Sequence, residues 1–335
     1  MKKITAWAAD APRSRISPIT YEPAALKADE IDVRVEFCGL CHSDYSMWSN
    51  EWGFTRYPFV GGHEIVGTVT QVGELVTHLK VGQKVGVGWV SRSDLNSAES
   101  LCGDHNLSPG NEMTIIGRYG GFADSVRCQG IWAIPLPETL DEESAGPLFC
   151  GGITVFNPMV QFDIKPTDKV AVVGIGGLGH LAIQFLNKWG CEVTAFTSSP
   201  DKADEAISMG AHHTANSRDS AEWKGLRNKF DFIISTVAVD MDWRKLAATL
   251  APKGRLHFVG LVPGALNLQV LDIMSQQRSV SSSPVGAPQV IAKMLDFCAR
   301  HNIKPQVEMF AMSDINEAMQ HLEDGKARYR IVLKN

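Results

Sequence analysis

Basic runs are missing from this 335-residue chain, where no stretch of Lys or Arg exceeds the pair Lys2 and Lys3. With a formal net charge of −5, nothing in it suits the phosphates of a nucleic acid or an anionic bilayer. No apolar run approaches the roughly 20 residues of a membrane span. The opening MKKITAWAADAPRSRISPITY has neither a continuous apolar core nor a small-residue cleavage site, so it does not read as a signal peptide. Cysteines number seven, an odd count that argues against a disulfide framework and for a reducing, cytoplasmic location. Internal repeats and low-complexity segments are also missing. What is there is ordinary globular composition, 44% hydrophobic and 21% charged. The length suggests two domains.

Up to Cys150 the chain is rich in glycine and short β-type runs, which suits an irregular, mostly antiparallel β domain. EIDVRVEFC (30–38) alternates apolar and polar residues like a half-buried strand, and EIVGTVTQVG and QKVGVGWV read similarly. Beyond Cys150 the pattern changes. DKVAVVG (168–174) is an apolar run of the kind buried on both faces of a parallel sheet. Leu178, Leu181, Ala182, Phe185, Leu186 and Trp189 then recur at helical spacing. CEVTAF, FDFIISTV and GRLHFVGL are further buried strands, separated by helical segments such as DWRKLAATLAP. Alternating strands and helices predict an α/β, doubly wound parallel sheet over about 152–286. PQVIAKMLDFCARH and SDINEAMQHLEDG, the latter capped at Ser313, read as amphipathic helices, and RYRIVLK as a final strand.

Gly174, Gly176 and Gly179 form G-x-G-x-x-G directly after a buried strand and at the opening of a helix, the context in which that pattern binds a dinucleotide pyrophosphate. With Gly177 and Leu178 they complete the phosphate loop, and the helix N-terminus adds free N–H groups. At the end of the second strand an NAD site usually carries Asp or Glu for the ribose 2′-hydroxyl. Here stand Thr197, Ser198 and Ser199, followed by Lys202. Hydroxyls and an ammonium hold a 2′-phosphate, so NADP(H) is the expected cofactor. The same three residues could instead cap the helix beginning near Pro200, and one role does not exclude the other. Strand-end topology places Thr236, Val237, Val259 and Ser283 beside the nicotinamide half.

CGLCHSD (38–44), GGHE (61–64) and FCGG (149–152) offer soft and imidazole ligands from three separate places. Cys41, His63 and Cys150 would make a Cys2His site with one open coordination position, the composition of a catalytic zinc. Glu64, counted with this metal set, and Asp44 are the natural carboxylates to support it, either able to accept the second imidazole N–H of His63. Each piece alone reads as a buried thiol or a hydrogen-bonded histidine. Their joint occurrence with a dinucleotide motif raises the metal reading above those.

Together GLCHSD, YPFVGGHEIVG, GPLFCGGITVF and VGIGGLGHLAIQFLNKWGCEVTAF resemble the zinc-dependent medium-chain dehydrogenase/reductases, closest to the cinnamyl-alcohol-dehydrogenase-like branch, over nearly the full length. The resemblance implies a GroES-like catalytic domain (1–151), a Rossmann NADP-binding domain (152–286) and a C-terminal segment (287–335) returning to the first, with the active site in the cleft between domains. It makes Cys41, His63 and Cys150 the catalytic zinc ligands and Ser43 the hydroxyl that relays the proton. It places His42 near the cofactor pyrophosphate, puts Trp48, Trp52 and Trp89 near the substrate, and suggests a homodimer through the sheet edge near 279–284. A histidine that relatives often carry at the end of the proton path is replaced by Ser46. That family usually holds a structural zinc on C-x2-C-x2-C-x7-C, and imposing that spacing lands on Asp94, Ser97, Ser100 and Ser108. No thiolate remains, so one zinc per chain is expected; Cys102, Asp104, His105 and Cys128 are the minority alternative for a second.

These readings converge on NADP(H)-dependent interconversion of a primary alcohol and its aldehyde, aromatic or medium-chain, mainly as an aldehyde reductase. The competing readings are a zinc-independent quinone or enoyl reductase of the same fold and a non-catalytic NADP(H)-binding protein.

Overall fold

The computed structural model describes residues 3–219 and 221–335, in two compact units. One comprises Met1–Ile153 with Val285–Asn335, the other Thr154–Pro284.

The first unit is built on a seven-stranded sheet in the order Val307–Ala311, Arg330–Lys334, Glu30–Leu40, Ile65–Val72, Lys84–Val87, Ala133–Pro135, with Ser125–Gln129 also pairing Glu30–Leu40. The long central strand follows the alternation of its sequence, burying Ile31, Val33 and Val35 while Arg34 is exposed. Only the pair Val307–Ala311 and Arg330–Lys334 is parallel. Register sets Ile331 opposite Leu40, which carries the neighbouring Arg330 next to the start of the Cys41 segment. QKVGVGWV, read as one strand, breaks after Val87. Val90–Arg92 instead forms a separate ribbon with Glu112–Met113, and at Gly88, in the break, the backbone passes so close to the Phe149 carbonyl that a side chain would not fit.

The second unit holds a six-stranded, wholly parallel sheet ordered His213–Asn216, Glu192–Thr197, Lys169–Val173, Phe230–Ser235, Leu250–Phe258, Ser279–Ser282. In order of appearance that is 3-2-1-4-5-6, the dinucleotide-binding arrangement. Val170, Val172, Val193, Ile233 and Leu256 are fully or almost fully buried, as the unbroken apolar runs require. The helix Trp243–Ala247 is shorter than its predicted segment because Leu250 already begins the next strand. In the first unit the helix expected to be capped at Ser313 runs Ile315–Glu323 from Asp314, after a short 3-10 turn at Met312–Asp314.

Candidate metal centre and dinucleotide site

Cys41 ends the central strand's run and caps the helix His42–Ser49 in extended conformation. Three residues on, the Asp44 carboxylate accepts the Cys41 N–H at 2.9 Å. Its other oxygen accepts the Gly62 N–H at 2.7 Å and lies 3.0 Å from His63 Nδ1. One fully buried carboxylate thus ties the Cys41 corner to the Gly61–Glu64 loop. With Nδ1–H donated to Asp44, His63 Nε2 faces the other way, and that buried atom has no partner among the described residues. Ligand atoms of Cys41, His63, Glu64 and Cys150 all lie within 4.8 Å of one another.

The electrostatics of this cluster suit a cation. Cys41 and Cys150 share a proton: the hydrogen bond from the Cys150 thiol, with help from Arg330 and His63, holds Cys41 well below an ordinary thiol, while the same pairing and burial hold Cys150 well above it. Burial opposes charge on His63, yet Asp44 and Cys41 keep its pKa well above the usual value, so a cation bound at Nε2 would displace a proton from it. Glu64 is fully buried and ion-paired to Arg330 through Oε1. Burial, only partly countered by Arg330, pushes its carboxyl up to about 7, and Oε2 has no partner among the described residues. Gly39 is obligatory beside it, since a side chain there would occupy the Glu64 carboxylate. Two sulfurs, an imidazole lone pair and an oxygen within reach of a common point are a donor set for zinc.

Of the two supporting carboxylates expected from sequence, Asp44 orients the histidine and Glu64 answers to Arg330 instead. Ser43 is partly exposed, its hydroxyl free of protein partners among the described residues, whereas the buried Ser46 donates to Glu51 at 2.7 Å. His42 is exposed, with its ring 5.4 Å from that of Tyr45. Trp89 stands edge-on to the His63 ring at 4.9 Å, Trp52 edge-on to Trp89 at 6.3 Å, and Phe54 stacks on Trp52 at 5.9 Å. Trp48 packs at the margin of that cluster but directs its indole N–H to the Ser14 carbonyl. Arg330 and Phe54 were not singled out from sequence, where a C-terminal strand cation and an aromatic among tryptophans carry no motif.

In the ribbon lobe the four positions on which that ligand spacing would fall bond one another in pairs. The Asp94 N–H donates to Ser108 Oγ at 3.2 Å, and the Ser100 N–H donates to Ser97 Oγ at 3.2 Å. The alternative metal set does not gather: Cys102 is exposed, Cys128 is buried opposite Ile31, and His105 lies 3.5 Å from Ser93 Oγ. Arg92 anchors the lobe's neck to Asp29 and Glu30, both at 2.8 Å.

In the second unit Gly174 takes φ +91°, and a side chain at Gly179 would strike the Gly174 carbonyl, while at Gly176 it would meet open space. That open face is the cradle a pyrophosphate needs. Thr236 holds the loop through the carbonyls of Val173 and Gly174 at 3.0 and 3.1 Å. A cavity of about 440 Å³ adjoins it, lined among others by Thr197, Ser198, Lys202, Arg218 and Trp223. Ser199 caps its helix by accepting the Lys202 N–H, Thr197 accepts the Ser199 N–H, and Lys202 Nζ donates to the Ile175 carbonyl at 3.1 Å. Arg218, which the sequence reading passed over, adds a guanidinium with no ion pair among the described residues to the same cavity.

Residues 177–300 match the family described as zinc-binding dehydrogenase, and residues 27–138 the alcohol dehydrogenase GroES-like domain. An aldehyde reductase of Synechocystis sp. is 54% identical over 332 residues, covering 99% of either chain. The chain belongs to the zinc-binding, cinnamyl-alcohol-dehydrogenase-like medium-chain dehydrogenases. A solved cinnamyl alcohol dehydrogenase from Sorghum bicolor superposes with TM-score 0.95 at 34% identity, covering 99% of this chain and 98% of the other. The CAD from Helicobacter pylori, complexed with NADP(H), follows at TM-score 0.90 and 28% identity, covering 99% and 98%. The family's GroES-like and nucleotide-binding modules match the β-rich first unit and the parallel-sheet second unit.

Proposed function

We propose that this dehydrogenase reduces aldehydes with NADPH, and oxidises the corresponding primary alcohols in reverse, around one zinc held by Cys41, His63 and Cys150. The observation that carries this is the unpartnered Nε2 of His63, aimed by Asp44 into a cluster of two sulfurs and a carboxylate. Zinc, when bound, supplies Lewis acidity toward the carbonyl. The chain supplies the rest. Asp44 fixes the imidazole tautomer, so that the lone pair rather than a proton faces the ligand position. Ser43 offers a hydroxyl with no competing protein bond among the described residues, suited to hand a proton to the product alkoxide; with Ser46 engaged by Glu51, Ser43 takes its replacement proton from water or a ribose hydroxyl. Trp89, Trp52 and Phe54 form an aromatic wall beginning at His63, which favours an aromatic or medium-chain aldehyde. On the cofactor side Ser198, Lys202 and Arg218 would bind the 2′-phosphate, and the cradle at Gly176 the pyrophosphate. The location read from free thiols is cytoplasmic; no helix among the described residues is long and apolar enough to cross a membrane.

The test is NADPH oxidation with cinnamaldehyde or benzaldehyde, before and after a zinc chelator. Turnover should fall at least about tenfold on chelation and return with added zinc. Chelator-insensitive turnover would favour a zinc-independent quinone or enoyl reductase, and no turnover with any aldehyde or alcohol a non-catalytic NADP(H)-binding protein.

A further inference from the structure

The chemistry described so far leaves two fully buried imidazoles unused: His180, whose Nδ1 lies 3.1 Å from the Gly176 carbonyl, and His257. His257 lies in the strand Leu250–Phe258, fully buried and in register with Ser281 of the edge strand. Its Nδ1 is 2.9 Å from Ser281 Oγ and its Nε2 3.0 Å from Ser283 Oγ. Residues two apart along extended chain share a face, so one ring spans both hydroxyls. Phe162 and Phe232 close around it at 5.2 and 5.8 Å, and the Arg255 guanidinium rests on Phe162 at 4.0 Å. Burial first, then Arg255, pushes His257 down to about 4, which keeps the ring neutral. A neutral imidazole donates through one nitrogen and accepts at the other. The three groups therefore form a directed chain, in which one serine hydroxyl donates into the ring and the other accepts from it. A leucine would fill the space beside Phe162 and Phe232 but would leave both serine hydroxyls without the ring as partner, so apolar packing does not account for a histidine here.

Position gives the chain its use. Ser283 stands one residue past the carboxyl end of the edge strand Ser279–Ser282. The phosphate loop follows the strand Lys169–Val173, and Ser198 follows its neighbour Glu192–Thr197 on the far side from the edge strand. A dinucleotide laid across these carboxyl ends puts its adenosine over the Ser198 side and its nicotinamide over the side that ends in Ser283.

We propose that His257 is a positioning residue for hydride transfer: by bridging Ser281 and Ser283 inside the sheet it fixes the Ser283 turn against the nicotinamide half of the cofactor. This rests on the NADP(H) reading given above. The experiment compares wild type with His257→Leu, His257→Gln, Ser281→Ala and Ser283→Ala. It measures kcat with cinnamaldehyde, affinity for NADPH, and affinity for adenosine 2′,5′-bisphosphate, which lacks the nicotinamide. His257→Leu should lower kcat about five- to tenfold while bisphosphate affinity stays within about twofold, as expected when one oriented hydrogen bond is lost at the reacting end only. Gln, whose amide both donates and accepts, should recover most of kcat, and Ser283→Ala should resemble His257→Leu. Should the leucine variant not fold, Ser281→Ala removes one side of the bridge and carries the same expectation in smaller measure. Unchanged kcat in His257→Leu, or equal losses for NADPH and the bisphosphate, would overturn the proposal. A fall in kcat with Ser283→Ala alone would sink the role of His257 and leave the cofactor reading standing. Wild-type protein that bound neither NADPH nor the bisphosphate would remove that reading, and this one with it.

Discussion

Ser198 and Arg218 show what a single side chain decides in this molecule. Both line the cavity beside the phosphate loop, and neither carries negative charge to repel a 2′-phosphate. Ser198→Asp would place a carboxylate where it bonds a ribose hydroxyl and repels phosphate, so the ratio of kcat/KM for NADPH over NADH should fall by about 100-fold. Steady-state kinetics with both cofactors measures it, and a ratio that did not move would remove Ser198 from the phosphate site. Cys41, His63 and Cys150 stood out in the sequence because reactive side chains beside glycines at strand ends are scarce, and the fold gathers them. Arg330 did not, because its partner Glu64 is 266 positions away and no local pattern encodes that pairing. Arg218 stayed hidden for a similar reason: its cavity is defined by neighbouring strands, not by its own segment.

Among the elements, the ribbon lobe is where sequence and structure inform each other most. The family resemblance, with its ligand spacing imposed on this segment, indicated which thiolates are missing; the pairing of Asp94 with Ser108 and of Ser97 with Ser100 needed coordinates. Two such bonds contribute about 1 kcal/mol each, against roughly 10 kcal/mol for a four-thiolate zinc. The lobe should therefore open more readily than the sheet beneath it. Ser97→Ala, which removes the cap of helix Ala98–Leu101, should cost about 1 kcal/mol. Faster amide exchange confined to about residues 94–111 would report it, with metal content steady at one zinc per chain. Exchange that quickened throughout the first unit, or a second tightly held zinc, would contradict this account. Strand boundaries were less legible than strand identity. The alternation over 83–90 continues past Val87, yet pairing with the first sheet ends there and Val90–Arg92 turns to Glu112–Met113, a change of partner that periodicity does not register.

At the scale of the whole molecule, the order of the parallel sheet leaves Ser279–Ser282 as an edge strand. The segment leading to it exposes Leu261, Val270, Leu271 and Met274, each at 63% or more. Unpaired edge groups beside exposed apolar side chains invite a second copy, and a homodimer through this edge is the expected assembly. Leu271→Glu should convert it to monomer in analytical ultracentrifugation, whereas a monomeric wild type would refute the interface. The α/β class and the β-rich first half could be read from hydrophobic period alone, since buried parallel strands and half-buried antiparallel ones leave different patterns. The return of residues 330–334 into the first sheet could not, because it depends on register between distant segments. That return has a consequence during synthesis. Until the ribosome has passed Lys334 and released it from the exit tunnel, the central strand lacks one of its neighbours and Glu64 lacks its countercharge. Metal delivery to a shorter nascent chain would meet an unfinished receptor, so loading waits on the emergence of residues 330–334.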